Sequence, residues 1–437
     1  MIAAAHTHAG DVPAPGALAP FRVLDLTNEL GQLCGRVLAD LGADVIKVEP
    51  PGGDPSRWIA PFYRDEPHPE RSLHWWMFNA NKRGITLDLT HDDGRALFLE
   101  LVRRSDFVLE TSPPGAMAAL GLGYDDLAAV RPSLVMTSIT PFGQDGPYAQ
   151  WKASDLIGAA MGGQIMLNGE LGREPLRPTM SQAYAHAAIQ AAVGTLIAHF
   201  HRTRSGEGQH VDASLEEAAA TWLDNAAPFW DLVRVNLPRP GNGRSTGGRL
   251  SGKYVYEAAD GYVAALSYGG LFGLNARQTI AWLDAHGAAA DLASEEWLEK
   301  LDASRGVRPP LSDADAHHLV EVLEAFCRRL PRAQLMREAQ AIRNGWAPVH
   351  TPRDLLEHEH LRARDYWTEV AHPELGASFV YPGPWARLGA TPIALRRRAP
   401  LIGEHNDEVL GALLGLDEAR LEALAAADVI ERRGGGA

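Results

Sequence analysis

Asp155 follows Ser154 at the head of the Ala- and Gly-rich stretch DLIGAAMGG. A carboxylate there would be stabilised by free backbone N–H groups and the helix dipole, with Ser154 as cap. Lys82 and Arg83, adjacent in NANKRG, could attract nucleotide phosphates, and a solvent-exposed turn accounts for them equally well. Lys47 projects from a short apolar strand and reads as structural. The run Glu357, His358, Glu359 and His360 has metal-ligand composition, but consecutive helical residues point in different directions. It reads as polar surface, and no metal is expected. The turn TNELGQLCGR, with Glu49 further on, lacks the G-x-G-x-x-G phosphate cradle, which argues against a dinucleotide dehydrogenase. Gly241, Gly243, Gly247 and Gly248, in GNGRSTGGR, mark an exposed connection or mobile loop.

With 437 residues, 46% of them hydrophobic, the chain can bury one large core or two moderate ones. Its net charge of -14 repels nucleic acid and anionic membranes, so neither is expected as a partner, and small-molecule chemistry fits better. Cys34 and Cys327 are too few and too far apart for a disulfide framework or a zinc site. The N-terminus lacks the basic start and apolar core of a signal peptide, and no run reaches membrane-spanning length. A soluble, cytoplasmic protein is the expectation.

These residues need a frame to position them. Residues 1–20, rich in Ala, Pro and Gly, predict a mobile arm, and the terminal ERRGGGA predicts fraying. Strands are predicted at 21–27, 44–49, 85–89, 107–110 and 134–140, with helices from Leu33 to Leu41 and over 93–104. That alternation predicts a largely parallel sheet covered by helices. Helices over 154–166 and 181–201 precede a short strand at 210–213. After a change of texture at 228–249, Asp260 and Gly261 predict a hairpin between 253–258 and 262–267, with helical segments over 271–286 and 313–343. The expected division is an arm at 1–20, a large domain beginning over 21–227, a small domain at 228–335 and a return to the large domain over 336–437.

Several segments, taken together, resemble the family III CoA-transferases, which include formyl-CoA transferase, carnitine CoA-transferase and the α-methylacyl-CoA racemases. LADLGADVIKVEPPGGD (38–54), NANKRGITLDL (79–89), PGAMAALGLGYDDL (114–127) and SITPFGQDGPY (138–148) occur in family order and at family-like spacing. RTRSGEGQHVDAS (202–214), WAPVHTPRDLLEHEHLRARDYW with HPELG (346–376), and PLIGEHNDEVL (400–410) extend the resemblance over about 21–415. It implies an α/β fold: a Rossmann-like large domain built from both chain ends, a smaller α+β domain, and an interlocked dimer of ring-shaped subunits. The partners implied are an acyl-CoA, a small organic acid, and a second copy or a homologous subunit. Coenzyme A is then a substrate, with no tightly bound cofactor.

In the family, an Asp attacks the donor thioester to give a mixed anhydride, and CoA thiolate returns to make an aspartyl-CoA thioester. The acceptor acid then repeats the sequence. Aligned on Gly194, that Asp falls at Tyr184 in SQAYAHAAIQAAVG, or at Ala183 with the racemase branch's extra residue. The segment holds no acid between Glu174 and Glu207. The resemblance therefore implies either a nucleophile-deficient subunit of a paired transferase or the use of another carboxylate, with Asp155 the foremost candidate. Tyr184 either donates a hydrogen bond to the thioester oxyanion or fills the space of the lost acid. Ser154 and Ala183 stand where a racemase needs its acid and base, which argues against racemisation. Leu87, Lys152 and Leu215 occupy CoA-contact positions. Thr111 and Ser112, with Pro50, Thr90 and Ala119, replace expected basic or polar contacts. GNGRSTGG corresponds to a glycine-rich flap over the reaction centre. Trp75, Trp76, Trp151, Trp222 and Trp230 point to a roomy aromatic pocket or to core.

Overall fold

Six strands, β1 (Arg22–Leu26), β2 (Asp44–Glu49), β3 (Arg83–Thr86), β4 (Phe107–Glu110), β5 (Val135–Thr140) and β6 (Gln209–Ser214), form one sheet in the order β3-β2-β1-β4-β5-β6. Every pairing is parallel. Runs such as VIKV and FVLE are buried on both faces, as a helix-covered parallel sheet requires. These elements belong to a computed structural model that describes residues 15–223, 226–239, 241–246, 249–265, 276–303 and 311–432. The covering helices include α1 (Gln32–Asp40), α2 (Leu73–Asn79), α3 (Asp92–Arg103), α4 (Asp155–Met161), α5 (Gln182–Ser205) and α6 (Leu215–Thr221). The single helix expected over 154–166 is broken after Met161. Gly162 caps α4, Gly163 has a φ of +83°, and a separate short helix spans Gln164–Leu167.

The strand order reverses between β1 and β4, so the loops after these strands diverge and leave a crevice at their C-terminal ends. Beneath it lies a buried ionic frame. Lys82 Nζ donates to Asp25 on β1 at 2.7 Å, to the Asn79 side chain at 2.9 Å and to the Gln32 carbonyl at 2.9 Å. Lys47 donates to the Thr27 carbonyl, and Asp25 accepts from the Thr27 N–H and hydroxyl at 2.9 and 2.6 Å. Gly35 makes room for this frame, because a Cβ there would stand 2.1 Å from the Asp25 carboxylate. Neither sequence reading of Lys82 survives: the side chain is fully buried, and its ammonium joins β1, α1 and α2 rather than facing solvent or a phosphate. Arg83 is paired with Asp44 and Glu408. Lys47 is structural, as expected.

This first unit comprises residues 1–163, 179–222 and 359–437. Residues 15–20, expected in the arm, form a turn whose Leu18 is buried and donates its N–H to the Leu41 carbonyl. Arg432 and Glu431, expected to fray, are tied by ion pairs to Glu418 and Asp407 and by hydrogen bonds to Thr86 and Gly52. The second unit comprises 164–178 and 223–358, a wider span than the expected 228–335. The physical reason is that Ala347–Pro348 pairs with Gly261–Ala264, which pairs in turn with Val255–Ala258, and Trp346 joins Tyr256, Trp282 and Phe326 in one core. Helix 313–343 is divided into Asp313–Cys327 and Arg332–Ala341, with Pro331 at the break. Cys34 and Cys327 are buried free thiols, both pushed up by burial. Among the described residues no helix is long and apolar enough to cross a membrane.

Removing one partner of a buried ion pair strands the other charge, at a cost of about 3–5 kcal/mol. Lys82→Met is therefore expected to lower stability by that amount in denaturant titration, and Lys82→Met with Asp25→Leu to recover part of it. Burial alone would raise Asp25, but Lys82 and Lys47 outweigh it and hold the carboxyl below its usual range. The stability Asp25 contributes is thus present above its unfolded pKa of about 3.9 and is lost as pH falls through the lower folded value. Circular dichroism across an acid titration checks this, with Asp25→Leu/Lys82→Met lacking that component.

Candidate active site

At the C-terminal edge of the sheet, the loops after β1 and β4 are joined by a hydrogen bond, as are the starts of α4 and α5. The end of β1 is tied to that of β4 by the Asn28 N–H, which donates to Thr111 Oγ1 at 2.8 Å. Gly31 brings the two strand ends together, since a Cβ there would stand 2.7–2.8 Å from the Thr27 and Thr111 methyls. The Ser112 N–H donates to Glu110 at 2.5 Å. Thr111 and Ser112 therefore order the strand ends. Helix α5 descends from this edge: Thr195 meets Thr137 in mid-sheet at 2.7 Å, and Arg202 reaches the Asp106 carbonyl at the opposite edge at 2.8 Å.

The head of α5 is where two sequence-predicted residues come together. Ser181 makes no side-chain cap, and the backbone N–H of Tyr184 donates instead to Asp155 Oδ1 at 3.0 Å. Asp155 is buried, and Ser154 gives it no capping hydrogen bond, contrary to expectation. The acid thus occupies the first position of its own helix and caps a second one. Tyr184 is pushed up to about 12 by burial, reinforced by the nearby carboxylates of Glu29 and Asp155. Its hydroxyl stays protonated at physiological pH, able to donate a hydrogen bond to a developing oxyanion. His186, on another face of the same turn, stacks on Trp222 with ring centroids 5.0 Å apart, and burial holds it below the ordinary histidine range against the pull of Asp155.

Other expected residues lie elsewhere. Leu87 and Leu215 are buried; Leu215 lies against Gly158, where a Cβ would be 2.4 Å from its methyl, so these leucines pack the interior. Lys152 is exposed. Gly241 and Gly243 belong to the second unit: the Gly241 N–H donates to the Gly169 carbonyl at 2.8 Å. Gly243 opens a strand, Gly243–Thr246, paired with Arg249–Lys253. Gly247 and Gly248 lie outside the described residues. Trp75 and Trp76 are core, whereas Trp151, Trp222 and Trp230 are exposed. Among the described residues no group of three His, Cys, Asp or Glu side chains is placed to hold a metal.

Sequence reasoning missed three features of the crevice. The carboxylate of Glu29, in the loop after β1, helps push Tyr184 up. Glu110, the last residue of β4, is buried and raised by burial, with Ser138 and Ser112 opposing that rise. Gln32 Oε1, Thr140 Oγ1 and Gln144 Nε2 are buried without hydrogen-bond partners among the described residues. Unsatisfied buried polar atoms are rare and call for a partner. The rule that ligands bind beyond strand C-termini at a switch point would have flagged Glu29 and Glu110.

Residues 18–406 match CoA-transferase family III. The chain belongs to that family. A relative from Thauera aromatica, the succinyl-CoA:(R)-benzylsuccinate CoA-transferase subunit BbsE, is 38% identical over 89% of this chain and 92% of its own. The succinyl-CoA–D-citramalate CoA-transferase of Chloroflexus aurantiacus is 34% identical over 95% of this chain and 98% of its own. The crystal structure of a CAIB/BAIF family protein from Brucella suis superposes with a TM-score of 0.77 at 27% identity, covering 91% of this chain and 100% of that one. The resemblance read from the sequence segments holds over nearly the whole chain. As a family III CoA-transferase, the protein acts on acyl-CoA and carboxylic acid substrates.

Two outcomes test the site geometry. Asp155→Ala should cost about 1 kcal/mol through loss of the α5 cap, while Asp155→Asn, which keeps an acceptor oxygen, should retain most of that stability in thermal denaturation. Because Tyr184 is held near 12, the pH–rate profiles of the wild type and Tyr184→Phe should share one alkaline limb up to about pH 10, where a free tyrosine would ionise.

Proposed function

We propose that this chain is one subunit of a heteromeric, succinyl-CoA-dependent transferase for a substituted dicarboxylic acid, and that a homologous partner subunit supplies the nucleophilic carboxylate. One observation carries the reading. At the head of α5, where the family's Asp would fall, stands Tyr184, and the nearest buried acid, Asp155, is engaged in capping that same helix. A phenol, when acylated, gives an aryl ester and not the mixed anhydride that the exchange needs.

Two further points support it. The Thauera aromatica relative is itself named as a subunit, and both relatives are named for succinyl-CoA and a dicarboxylic acid acceptor. Exchange of CoA between two carboxylates of like basicity is close to thermoneutral, so a succinyl donor and a substituted succinate acceptor form a balanced pair. In this reading Tyr184 stabilises an oxyanion or shapes the pocket, Thr111 and Ser112 order the strand ends, and the exposed Lys152 offers a cation for CoA phosphates. Interlocking of two ring-shaped subunits is the assembly proposed.

A second reading has Asp155 as the nucleophile of an independent enzyme, favoured by its burial beside Tyr184. The test is CoA transfer from succinyl-CoA by the chain expressed alone and co-expressed with a family III homologue that carries an Asp at the position of Tyr184. Activity appearing only on co-expression is expected. Full activity of the chain alone, abolished by Asp155→Asn, would establish the second reading instead.

A further inference from the structure

We propose that the outer face of α5 is a docking surface for the homologous partner subunit, which covers it with its own counterpart of the same helix. The identity of that partner rests on the proposed heteromer.

Helix α5 is built the reverse way round for a surface helix. Such a helix ordinarily turns its large apolar residues to the core and its charges to water. Here small residues, among them Ala188, Ala191 and Thr195, hold the buried positions, whereas Ile189, Val193, Ile197 and Phe200 are 40%, 52%, 64% and 64% exposed. The exposed four follow one another at steps of four, four and three residues, so they form a single stripe along the helix. Thr195 meets Thr137 of β5 at 2.7 Å, which fixes the inner side against the sheet. No Asp, Glu, Lys or Arg occurs from Gln182 to His201, so the stripe carries no fixed charge to hold it in water. A helix without charge on any face belongs in an interior, and this one has cover on one side only.

The composition of the stripe selects its occupant. Among the described residues no helix is long and apolar enough to cross a membrane, and the net charge of -14 repels an anionic lipid surface. An uncharged apolar row is complementary to another of its kind, because rows spaced four residues apart on two helices interdigitate. A homologous chain presents an equivalent helix, so the two stripes can meet about a two-fold axis, each serving as the other's partner. A stable interface takes about 800 Å² from each side, more than four side chains supply, so the stripe forms the apolar centre of a wider contact. Because α5 begins at the hydrogen bond between Tyr184 and Asp155, the partner grips the helix whose head carries the candidate site.

Sedimentation velocity of the full chain co-expressed with the Asp-bearing homologue tests the surface. Val193→Glu and Ile197→Glu place carboxylates at exposed positions, and each is expected to weaken association about a hundredfold while circular dichroism of the chain stays unchanged. Phe200→Ala, which adds no charge, should weaken it about tenfold. A lysine at the homologue's counterpart of Ile197 should restore assembly with Ile197→Glu, which identifies the covering element. Undiminished assembly of all three variants overturns the docking surface and leaves the proposed function standing. Loss of assembly without rescue by the lysine overturns the helix-on-helix contact. A wild-type assembly made only of copies of this chain overturns the proposed heteromer, and the occupant named here with it.

Discussion

Helix Gln182–Ser205 begins against an acid from a different helix, and the organisation of the crevice follows from that contact. A helix of this length presents several N–H groups at its head with no partner of their own. Ser181 does not satisfy them, and the buried carboxylate of Asp155 accepts the Tyr184 N–H. The hydrogen bond fixes where α5 starts, and so where His186 meets Trp222. It also gives the buried Asp155 carboxylate an architectural role.

Around that contact, the segments that carry the family resemblance act mostly as scaffold. Glu49 receives Arg57 through two hydrogen bonds at 2.6 and 2.8 Å, and the guanidinium lies 3.8 Å from the Trp75 ring. Asp54 accepts from the Ser56 N–H, and Asp40 pairs with Arg36. With Asp25 and Lys82, these charges are removed from water in mutual contact, a demanding arrangement because losing any partner strands another. Residues under that constraint are recognisable in sequence because each is tied to a buried partner.

This explains what the sequence disclosed. Strands Asp44–Glu49 and Phe107–Glu110 were legible to the residue because continuous β-branched and apolar runs have few alternatives. The parallel sheet followed from alternation. Lys82 was misread because a charged residue in a loop is usually solvated, and only the tertiary placement of Asp25 and Asn79 reveals its partners. The small unit's extent was missed because Ala347–Pro348 is too short to announce itself as a strand. Within the site, the Asp155 cap across helices and the His186–Trp222 stack depend on contacts that no local spacing encodes.

In the proposed assembly, acyl transfer proceeds through a carboxylate that this chain does not contribute. Incubating the assembled enzyme with succinyl-CoA, quenching with hydroxylamine and mapping modified acids by peptide mass spectrometry tests it directly. A hydroxamate on an aspartate of the homologous partner subunit and none on this chain is the predicted result. Stoichiometric modification of Asp155, Glu29 or any other acid of this chain would contradict it.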